Sequence, residues 1–389
     1  MNPAMTGRQR LARTLARQSV DRLPIDLGAH PSTGISAFAY FHLRRHLGLP
    51  ERPIQVIDHM QMLARVDDDV AERFGLDLRA LSLTPLATRA WQPRAGYEFQ
   101  LPSTIDYAQR ADGGWDLSIE RPGGTSHAYM PSGGFFFDGD WNGPDLRSWE
   151  EQLPLLAAEA KRLAEAGHGV LLTCGLNGFF NSAADFAYAC ADDPDGLLAE
   201  QRASCDRQLA HLRRVIEVLG PWVQVVDINA DLGAQRGPLI SPAMHRRFCQ
   251  PFLADLCRTI HEYSDWKVFY HCCGGILPLI PNLIAAGIDI LNPVQVAAAG
   301  MDPANLAEAF GDKLLFWGGC CDTQCVLGTG TPAEVAANAR LLVGQLGSKN
   351  GLILNQVHNI MGDVPPENIV AMLDAFRAAA PRSLAAAAC

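Results

Sequence analysis

Short apolar runs and longer amphipathic segments alternate along most of the chain. Runs rich in Val, Ile, Leu and Phe begin at residues 22, 77, 168, 222, 267, 288, 314 and 351. Helical patterns of about 10 residues or more separate most of these runs, which is typical of parallel strands joined by crossover helices. The helices are predicted at residues 7–18, 35–48, 57–74, 149–166, 182–219, 242–263, 276–286, 302–311, 331–346 and 366–379.

Eight strand–helix units fit a closed barrel better than an open sheet. The pattern contains no linker to a second domain, so we predict that residues 1–389 form one α/β domain, a (β/α)8 TIM-type barrel. Residues 83–145 differ in character, because Gly, Pro, Trp and Asp crowd this stretch and segments such as Trp115–Ile119 alternate between apolar and polar positions. We predict β-hairpins inserted into the barrel there, with the aromatic run Phe135–Phe137 packing the insertion down rather than reaching a substrate.

Composition narrows the class of protein. Hydrophobic residues make up 48% of the chain and charged residues 19%, as expected for a soluble globular protein with a sizeable core. A formal net charge of −10 argues against nucleic-acid binding. No apolar run approaches the ~20 residues of a membrane span, and no signal peptide opens the chain. We therefore expect a cytoplasmic protein whose 11 cysteines are thiols or metal ligands.

Polar residues cluster where the predicted strands end, which is where barrel enzymes carry their active sites. This set comprises His30, Cys174, Asn177, Asp227, Asn229, Asp231, His271, Cys273, Asn292, Gln295, Cys320, Cys321, Asn355 and His358. We predict that five of them bind substrate: His30, Asn177, Asn229, Asn292 and Gln295. Others in the set serve only to cap loops or helices.

His271 and Cys273 follow the fifth predicted strand, where alternation directs both side chains to one face. An imidazole and a thiolate on one face are two of the three protein ligands of a catalytic zinc site. The other interpretation is a buried histidine beside ordinary core cysteines. For the third ligand we favour Cys325, predicted to begin the helix after the seventh strand, with Cys320 or Cys321 as alternatives.

Three further residues are predicted to be catalytic. Asp227 and Asp231, near the fourth strand, could supply a general acid or base or orient a ligating histidine, although helix or loop capping explains them equally well. His358 follows the eighth strand and is predicted to donate a proton to the substrate; its alternative role is to stabilise a loop.

Several short motifs, specific only when taken together, suggest a family. They are Asp21-Arg-Leu-Pro-Ile-Asp26, Asp231-Leu-Gly-Ala-Gln-Arg-Gly-Pro-Leu-Ile-Ser-Pro242, His271-Cys-Cys-Gly274, Ile288-Asp-Ile-Leu-Asn-Pro-Val-Gln295, Trp317-Gly-Gly319 with Asp322-Thr-Gln324, and Val357-His-Asn-Ile360 with Asp363-Val-Pro-Pro-Glu-Asn368. With them, most of the chain from about Asp21 onward resembles the uroporphyrinogen decarboxylase superfamily, and most closely its methyltransferase-like branch. The resemblance implies an eight-stranded β/α barrel.

True decarboxylases of this superfamily carry an Arg-Gln-Ala-Gly-Arg loop after the first strand, which binds the carboxylates of the substrate. Here the loop is Leu27-Gly-Ala-His-Pro-Ser-Thr-Gly34, without an arginine, so decarboxylation is disfavoured. The methyltransferase branch has an H-x-C zinc pair on the fifth strand, which His271 and Cys273 match. The resemblance thus implies zinc-assisted transfer of a methyl group between a small methoxy, methylthio or methylamine compound and a corrinoid (cobalamin) held by a partner protein, as in a demethylase. A homodimer is also implied.

The chain departs from that branch at the third ligand. Coenzyme-M methyltransferases have a Gly-Cys-Gly near the eighth strand, where this chain has Ser348-Lys-Asn-Gly351. Many relatives have Asp-Thr-Gln-His after the seventh strand, where this chain has Asp322-Thr-Gln-Cys325, and this exchange is what suggests Cys325. The alternatives are a decarboxylase-like lyase with another substrate and a corrinoid- or porphyrin-binding protein without catalysis.

Overall fold

The computed structural model describes residues 4–83, 87–121, 124–139, 147–180, 182–349 and 351–379. The strands are β1 Ile54–Asp58, β2 Leu63–Ala64, β3 Thr88–Trp91, β4 Phe99–Pro102, β5 Asp106–Gln109, β6 Trp115–Arg121, β7 Gly124–Met130, β8 Asp138–Gly139, β9 Leu171–Leu172, β10 Val225–Asn229, β11 Gly233–Ala234, β12 Gly237–Pro238, β13 Lys267–His271, β14 Ile290–Asn292, β15 Leu315–Trp317 and β16 Leu352–Ile353. The α-helices are α1 Gly7–Leu15, α2 Ala37–His46, α3 Asp68–Phe74, α4 Trp149–Glu165, α5 Ala183–Asp192, α6 Pro194–Leu219, α7 Pro242–Phe248, α8 Gln250–Tyr263, α9 Ile280–Ala286, α10 Pro303–Phe310, α11 Pro332–Leu346 and α12 Pro366–Ala378.

A parallel six-stranded sheet occupies the centre, in the order β16-β15-β14-β13-β10-β9. Its strands alternate with helices as predicted, and its interior residues are almost all apolar and buried. Alternate positions such as Val225, Phe269, Ile290 and Leu315 form a separate apolar cluster on one face, while the remaining positions join the larger core beneath the helices. This period of two also decides which polar residues share a face at the strand ends.

The first two predicted strands do not form regular ladders. Ile25 makes an isolated parallel bridge to Leu354 and Leu78 makes one to Gly169, which extends the two edges of the sheet by single pairs. A backbone hydrogen bond of 2.9 Å from Asp77 N to the Ile25 carbonyl joins the two segments. The ladder stops there because the Asp77 carboxylate, rather than a neighbouring carbonyl, accepts the Ile25 N–H at 2.8 Å.

The predicted helix 57–74 is wrong over its first part. Residues 54–64 instead form β1 and β2, and α3 begins only at Asp68. Ile54 and Val56 are buried while Gln55 between them is less so, a period of two that the helix prediction overlooked. Asp58 then accepts two backbone N–H groups at 2.9 Å, from Met60 and Gln61, and turns the chain back into β2.

Hairpins occupy the region predicted as a β-rich insertion. β1 and β2 combine with β3 and β4 in one four-stranded sheet, and β5 to β8 form a second, antiparallel one. In the aromatic run, Phe137 is fully buried and Phe135 packs against Phe38, whereas Phe136 is 47% exposed. The ring of Phe135 also lies where a side chain at Gly362 would be, with its Cγ 2.6 Å from the ideal Cβ position. The insertion is therefore packed against the loop that follows β16.

Within the described part of the chain, no helix combines the length and the apolarity that a membrane crossing needs.

Candidate metal centre

Three polar residues lie side by side at the carboxyl ends of neighbouring strands. Asn229 of β10 pairs in register with His271 of β13, which pairs in register with Asn292 of β14. Each occupies the face that carries Val225, Phe269 or Ile290 deeper in the same strand. These three polar residues therefore border an apolar interior at the carboxyl ends of the strands. The sequence indicates the same arrangement, with apolar residues within the strands and polar residues at their ends.

His271 and Cys273 come together as the H-x-C spacing predicts. His271 Nε2 lies 3.6 Å from Cys273 Sγ. The chain turns sharply after them, because Gly274 has φ of +89° and an added Cβ would lie 2.6 Å from Ala234 N. Gln295 Oε1 accepts the Gly274 N–H at 2.8 Å, and Asp231 Oδ1 accepts the Cys273 N–H at 2.9 Å.

His358 is the third side chain beside this pair. His271, Cys273 and His358 each offer one atom that could bind a metal, and these three atoms lie within 4.8 Å of one another. The loop that carries His358 is fastened by its neighbour Asn359, whose amide nitrogen donates to the Pro31 carbonyl at 2.7 Å and whose amide oxygen accepts the Gly34 N–H at 2.7 Å. Loops that follow the first and last strand segments are thereby joined at the site.

Hydrogen bonds define the protonated nitrogen of each ring. Asn292 Nδ2 donates to the Trp317 carbonyl at 2.9 Å, so its Oδ1 must face His271, where it accepts the Nδ1–H at 2.9 Å. The lone pair of His271 Nε2 is then directed toward Cys273. His358 has the opposite tautomer, because its Nδ1 accepts the Asn359 N–H at 2.8 Å and the proton of the neutral ring is on Nε2.

Burial keeps all three groups uncharged when no metal is bound. It lowers the pKa of His271, with the nearby His30 contributing, and it lowers the pKa of His358 to about 4. Burial, with the Asp231 carboxylate adding to it, raises the pKa of the Cys273 thiol well above its ordinary value. A divalent cation would favour the deprotonated form of Cys273, since it stabilises a thiolate directly.

The structure does not bring the three cysteines predicted as third ligands to this pair. Cys325 is exposed, and its N–H donates to Asp322 Oδ1 at 3.1 Å within a turn. It does not begin a helix, because Thr331 caps α11 six residues later through a capping box with Glu334. Cys320 and Cys321 are buried in the apolar core, where burial raises the pKa of each thiol to about 12.

Some of the residues predicted to bind substrate or to be catalytic are buried, and others are exposed to solvent. Asp227 is fully buried, and its Oδ2 accepts from His30 Nε2 at 3.1 Å and from Asn229 Nδ2 at 2.6 Å. Asp231 lies at the surface with 62% of its side chain exposed, and its Oδ1 is 3.7 Å from His271 Nε2. Asn177 is engaged within its own loop, where its Oδ1 accepts the Phe179 N–H at 3.1 Å.

One residue of the site was missed in the sequence. Ser32 is 4% exposed, and its hydroxyl lies 2.7 Å from both His30 Nδ1 and Asn292 Oδ1. It belongs to a loop in which we singled out only His30. Serine is common in turns that also contain Gly and Pro. Nothing in the sequence therefore distinguished Ser32 from ordinary loop residues.

Fold and site together define an α/β protein whose candidate metal ligands stand at the carboxyl ends of a parallel sheet. Residues 188–379, just under half of the chain, match the uroporphyrinogen decarboxylase (URO-D) family. This part contains His271, Cys273 and His358, and the match confirms the resemblance to the uroporphyrinogen decarboxylase superfamily seen in the motifs.

Among solved structures, one methyltransferase shares the overall fold, whereas two others match with low TM-scores from which nothing is concluded. A methyltransferase from Methanosarcina mazei superposes with a TM-score of 0.56 at 14% identity, covering 96% of this chain and 98% of the other. A 3-keto-D-glucoside 4-epimerase from E. coli matches with a TM-score of 0.36 at 14% identity, over 59% of this chain and 86% of the other. A putative vitamin-B12-independent methionine synthase from Listeria monocytogenes gives a TM-score of 0.35 at 14% identity, over 60% and 67%. No curated protein matches the chain significantly.

Proposed function

We propose that this protein is a zinc-dependent methyltransferase in which His271, Cys273 and His358 hold the metal. The carrying observation is the separation of 3.6 Å between His271 Nε2 and Cys273 Sγ. Zn–N and Zn–S bonds of about 2.0–2.1 and 2.3 Å at a tetrahedral angle separate the two donor atoms by about 3.6 Å. Three protein ligands would leave the fourth position open, as in catalytic zinc sites.

The His358 ligand replaces the cysteine that the sequence suggested. Coordination through its Nε2 requires the ring proton to move to Nδ1, which then gives up the hydrogen bond from the Asn359 N–H. The low pKa of His358, about 4, favours this role because the ring is neutral at physiological pH. The proton-donor role predicted from the sequence is the competing assignment, and the Nε2–H tautomer of the metal-free chain favours it.

Zinc bound here would supply Lewis acidity to a heteroatom of a methylated substrate. Asp231, exposed at the rim, is positioned to hold a proton near that heteroatom, while Asp227 is too deeply buried to exchange protons with solvent directly. The superfamily assignment and the fold shared with a methyltransferase support methyl transfer as the reaction. We propose a methoxy, methylthio or methylamine compound as methyl donor and a corrinoid on a separate partner protein as acceptor, with demethylation as the working direction.

Three coarser features complete the proposal. The bridges at Ile25 and Leu78 connect both edges of the six-stranded sheet, which supports a closed eight-stranded barrel as the scaffold. We propose a cytoplasmic location, where the reducing environment would keep the free cysteines of the described residues as thiols. A homodimer is proposed from the family resemblance alone.

A decarboxylase-like lyase is the second candidate. The loop after the first strand segment lacks arginine, and its polar side chains His30 and Ser32 are buried in hydrogen bonds rather than open to a polycarboxylate. This observation argues for the methyltransferase. A non-catalytic corrinoid binder, the third alternative, would perturb a corrinoid spectrum without turnover.

Metal analysis tests the ligand set directly. We expect about one zinc per chain after metal-replete expression, reduced to below about 0.2 in His271→Gln and Cys273→Ser, because each removes one of three ligands. Cys325→Ser is the matched control, and it should bind zinc like the unaltered chain. His358→Gln separates the two roles of that ring: loss of zinc identifies a ligand, and retained zinc with slower turnover identifies a proton donor.

Turnover is tested with cob(I)alamin and a panel of methoxyaromatics, methyl sulfides and methylamines. Formation of methyl-cobalamin, followed by absorbance, is the expected outcome. Release of carbon dioxide from a carboxylated substrate without corrinoid would instead support the lyase. A zinc-replete chain that transfers no methyl group from any donor in the panel contradicts the proposed reaction while leaving the metal site intact.

A further inference from the structure

We propose that Ser32 and His30, supported by Asp227, are positioning residues that select the metal-binding tautomer of His271. The inference rests on the proposed zinc site, and it assigns a role to buried groups that do not themselves contact the metal. It gives His30 and Asn292 a structural purpose in place of the substrate contacts predicted from the sequence.

A continuous line of hydrogen bonds connects these residues. His30 Nε2 donates to Asp227 Oδ2 at 3.1 Å, and His30 Nδ1 accepts the Ser32 backbone N–H at 3.1 Å. Ser32 Oγ donates to Asn292 Oδ1 at 2.7 Å, and the same oxygen accepts His271 Nδ1–H at 2.9 Å. The first four residues are each at most 4% exposed, so water does not compete for these bonds.

Asn292 connects these hydrogen bonds to the ring of His271. An amide side chain presents either its oxygen or its nitrogen to a neighbour, and the two choices demand opposite tautomers of His271. The Trp317 carbonyl accepts from one end of the amide, and the Ser32 hydroxyl donates to the other. Both contacts hold the oxygen toward His271, keep the proton on Nδ1 and leave the Nε2 lone pair toward Cys273.

The location of these groups supports a role beyond ordinary satisfaction of buried polar atoms. They lie above Phe269 and Ile290, in an interior where apolar side chains would pack without any desolvation cost. Among the described residues, Asp227 Oδ1 has no hydrogen-bond partner although it is buried. A buried carboxylate oxygen without a hydrogen-bond partner lowers the stability of the fold, so stability alone does not explain Asp227. A role in orienting the residues behind a proposed metal ligand does explain it.

The decisive variants remove or keep the hydroxyl at position 32. Ser32→Ala removes one contact that orients Asn292, and we expect the zinc dissociation constant to rise about tenfold. Ser264→Ala is the matched control, because its hydroxyl also donates over 2.7 Å, to the Ile260 carbonyl far from the site. Ser32→Thr keeps a hydroxyl that can donate to Asn292, so this variant should retain most of the affinity.

Two measurements are made on each variant. Competition with a chromophoric chelator gives the zinc affinity, and long-range proton–nitrogen NMR on the metal-free protein gives the tautomer of His271. We expect Nδ1–H alone in the unaltered chain and in Ser32→Thr, and a mixture with Nε2–H in Ser32→Ala. An unchanged tautomer together with an affinity within twofold in Ser32→Ala overturns the inference, as does a Ser32→Thr variant that behaves like Ser32→Ala.

Failure of the zinc proposal would appear differently. If the unaltered chain binds no zinc, the proposed function fails, but the NMR comparison still decides whether Ser32 sets the tautomer. If zinc binds and the tautomer is insensitive to Ser32, the positioning role fails and the metal site remains.

Discussion

The turn after Cys273 gives the sharpest test of how the backbone builds the site. Gly274 has φ of +89°, and a Cβ there would lie 2.6 Å from Ala234 N and 2.7 Å from the Gly233 carbonyl oxygen. Both neighbours are backbone atoms of the β11–β12 hairpin, so no side-chain rotation relieves the contact. Gly274→Ala must therefore move the loop that carries Cys273, the hairpin, or both.

The expected cost has two parts. An alanine at positive φ costs about 1 kcal/mol, and overpacking against backbone adds about 1–3 kcal/mol. We expect Gly274→Ala to lower the free energy of unfolding by about 2–4 kcal/mol. Displacement of Cys273 should also weaken zinc binding at least tenfold, since a ligand shifted by even part of an ångström no longer meets the tetrahedral distances.

Gly96→Ala separates the two parts. Gly96 has nearly the same φ, +90°, but nothing lies within 4 Å of its Cβ position. It should lose about 1 kcal/mol and leave zinc affinity unchanged. Urea unfolding of the metal-free proteins and chelator competition give both quantities. Equal stability losses in the two variants, with equal zinc affinities, would refute the claim that backbone contact at Gly274 shapes the site.

Two further predictions concern buried ionisable side chains. The pKa of His245 is lowered by burial from 6.5 to about 4, so the unfolded chain binds a proton between these pH values that the folded chain does not. His245 should therefore contribute a loss of stability of about 3 kcal/mol as pH falls through this window, and His245→Leu should remove that contribution in urea titrations, leaving the part due to His358 and His271. Asp77 is 2% exposed and pairs with both Arg10 and Arg22, so Asp77→Asn should cost about 3 kcal/mol in urea unfolding. The control Asp312→Asn, at an exposed pair, should cost about 0.5 kcal/mol or less; comparable losses would contradict the buried-pair argument.

The sequence was most informative where one period dominated. From β9 onward, short apolar runs and helices alternate as predicted, and the strand-end polar residues Asn229, His271 and Asn292 share one edge because period-two alternation fixes their face. The pairing of His271 with Cys273 followed from the same rule, although β13 ends at His271 and the glycine turn brings Cys273 into place.

The approach of His358 to His271 and Cys273 could not be predicted from local pattern. Whether Cys325 or His358 reaches His271 depends on how two loops, each several residues long, fold over the strand ends. Asp322 caps a turn that leaves Cys325 exposed, and the amide of Asn359 fixes the other loop to residues 31 and 34. The Asn359 contacts join residues more than 300 positions apart, and no period along the chain encodes them.

The first third of the chain was predicted least well for a related reason. The segments around Ile25 and Leu78 have the apolar character of strands, but the Asp77 side chain replaces backbone partners and shortens the ladder. Residues 54–64 mix both periods, and the long-range pairing of β1 with β4 decided in favour of strands.

The contact between Phe135 and Gly362 has a consequence for how relatives of this chain can diverge. His358 sits four residues before Gly362, on a loop whose outer side is occupied by the insertion's aromatic ring. Lengthening or trimming the hairpins would be transmitted to the histidine that completes the donor set, without any change at His271 or Cys273. Variation in this accessory sheet is thus a route by which a lineage could shift His358 relative to His271 and Cys273 while the strands beneath stay fixed.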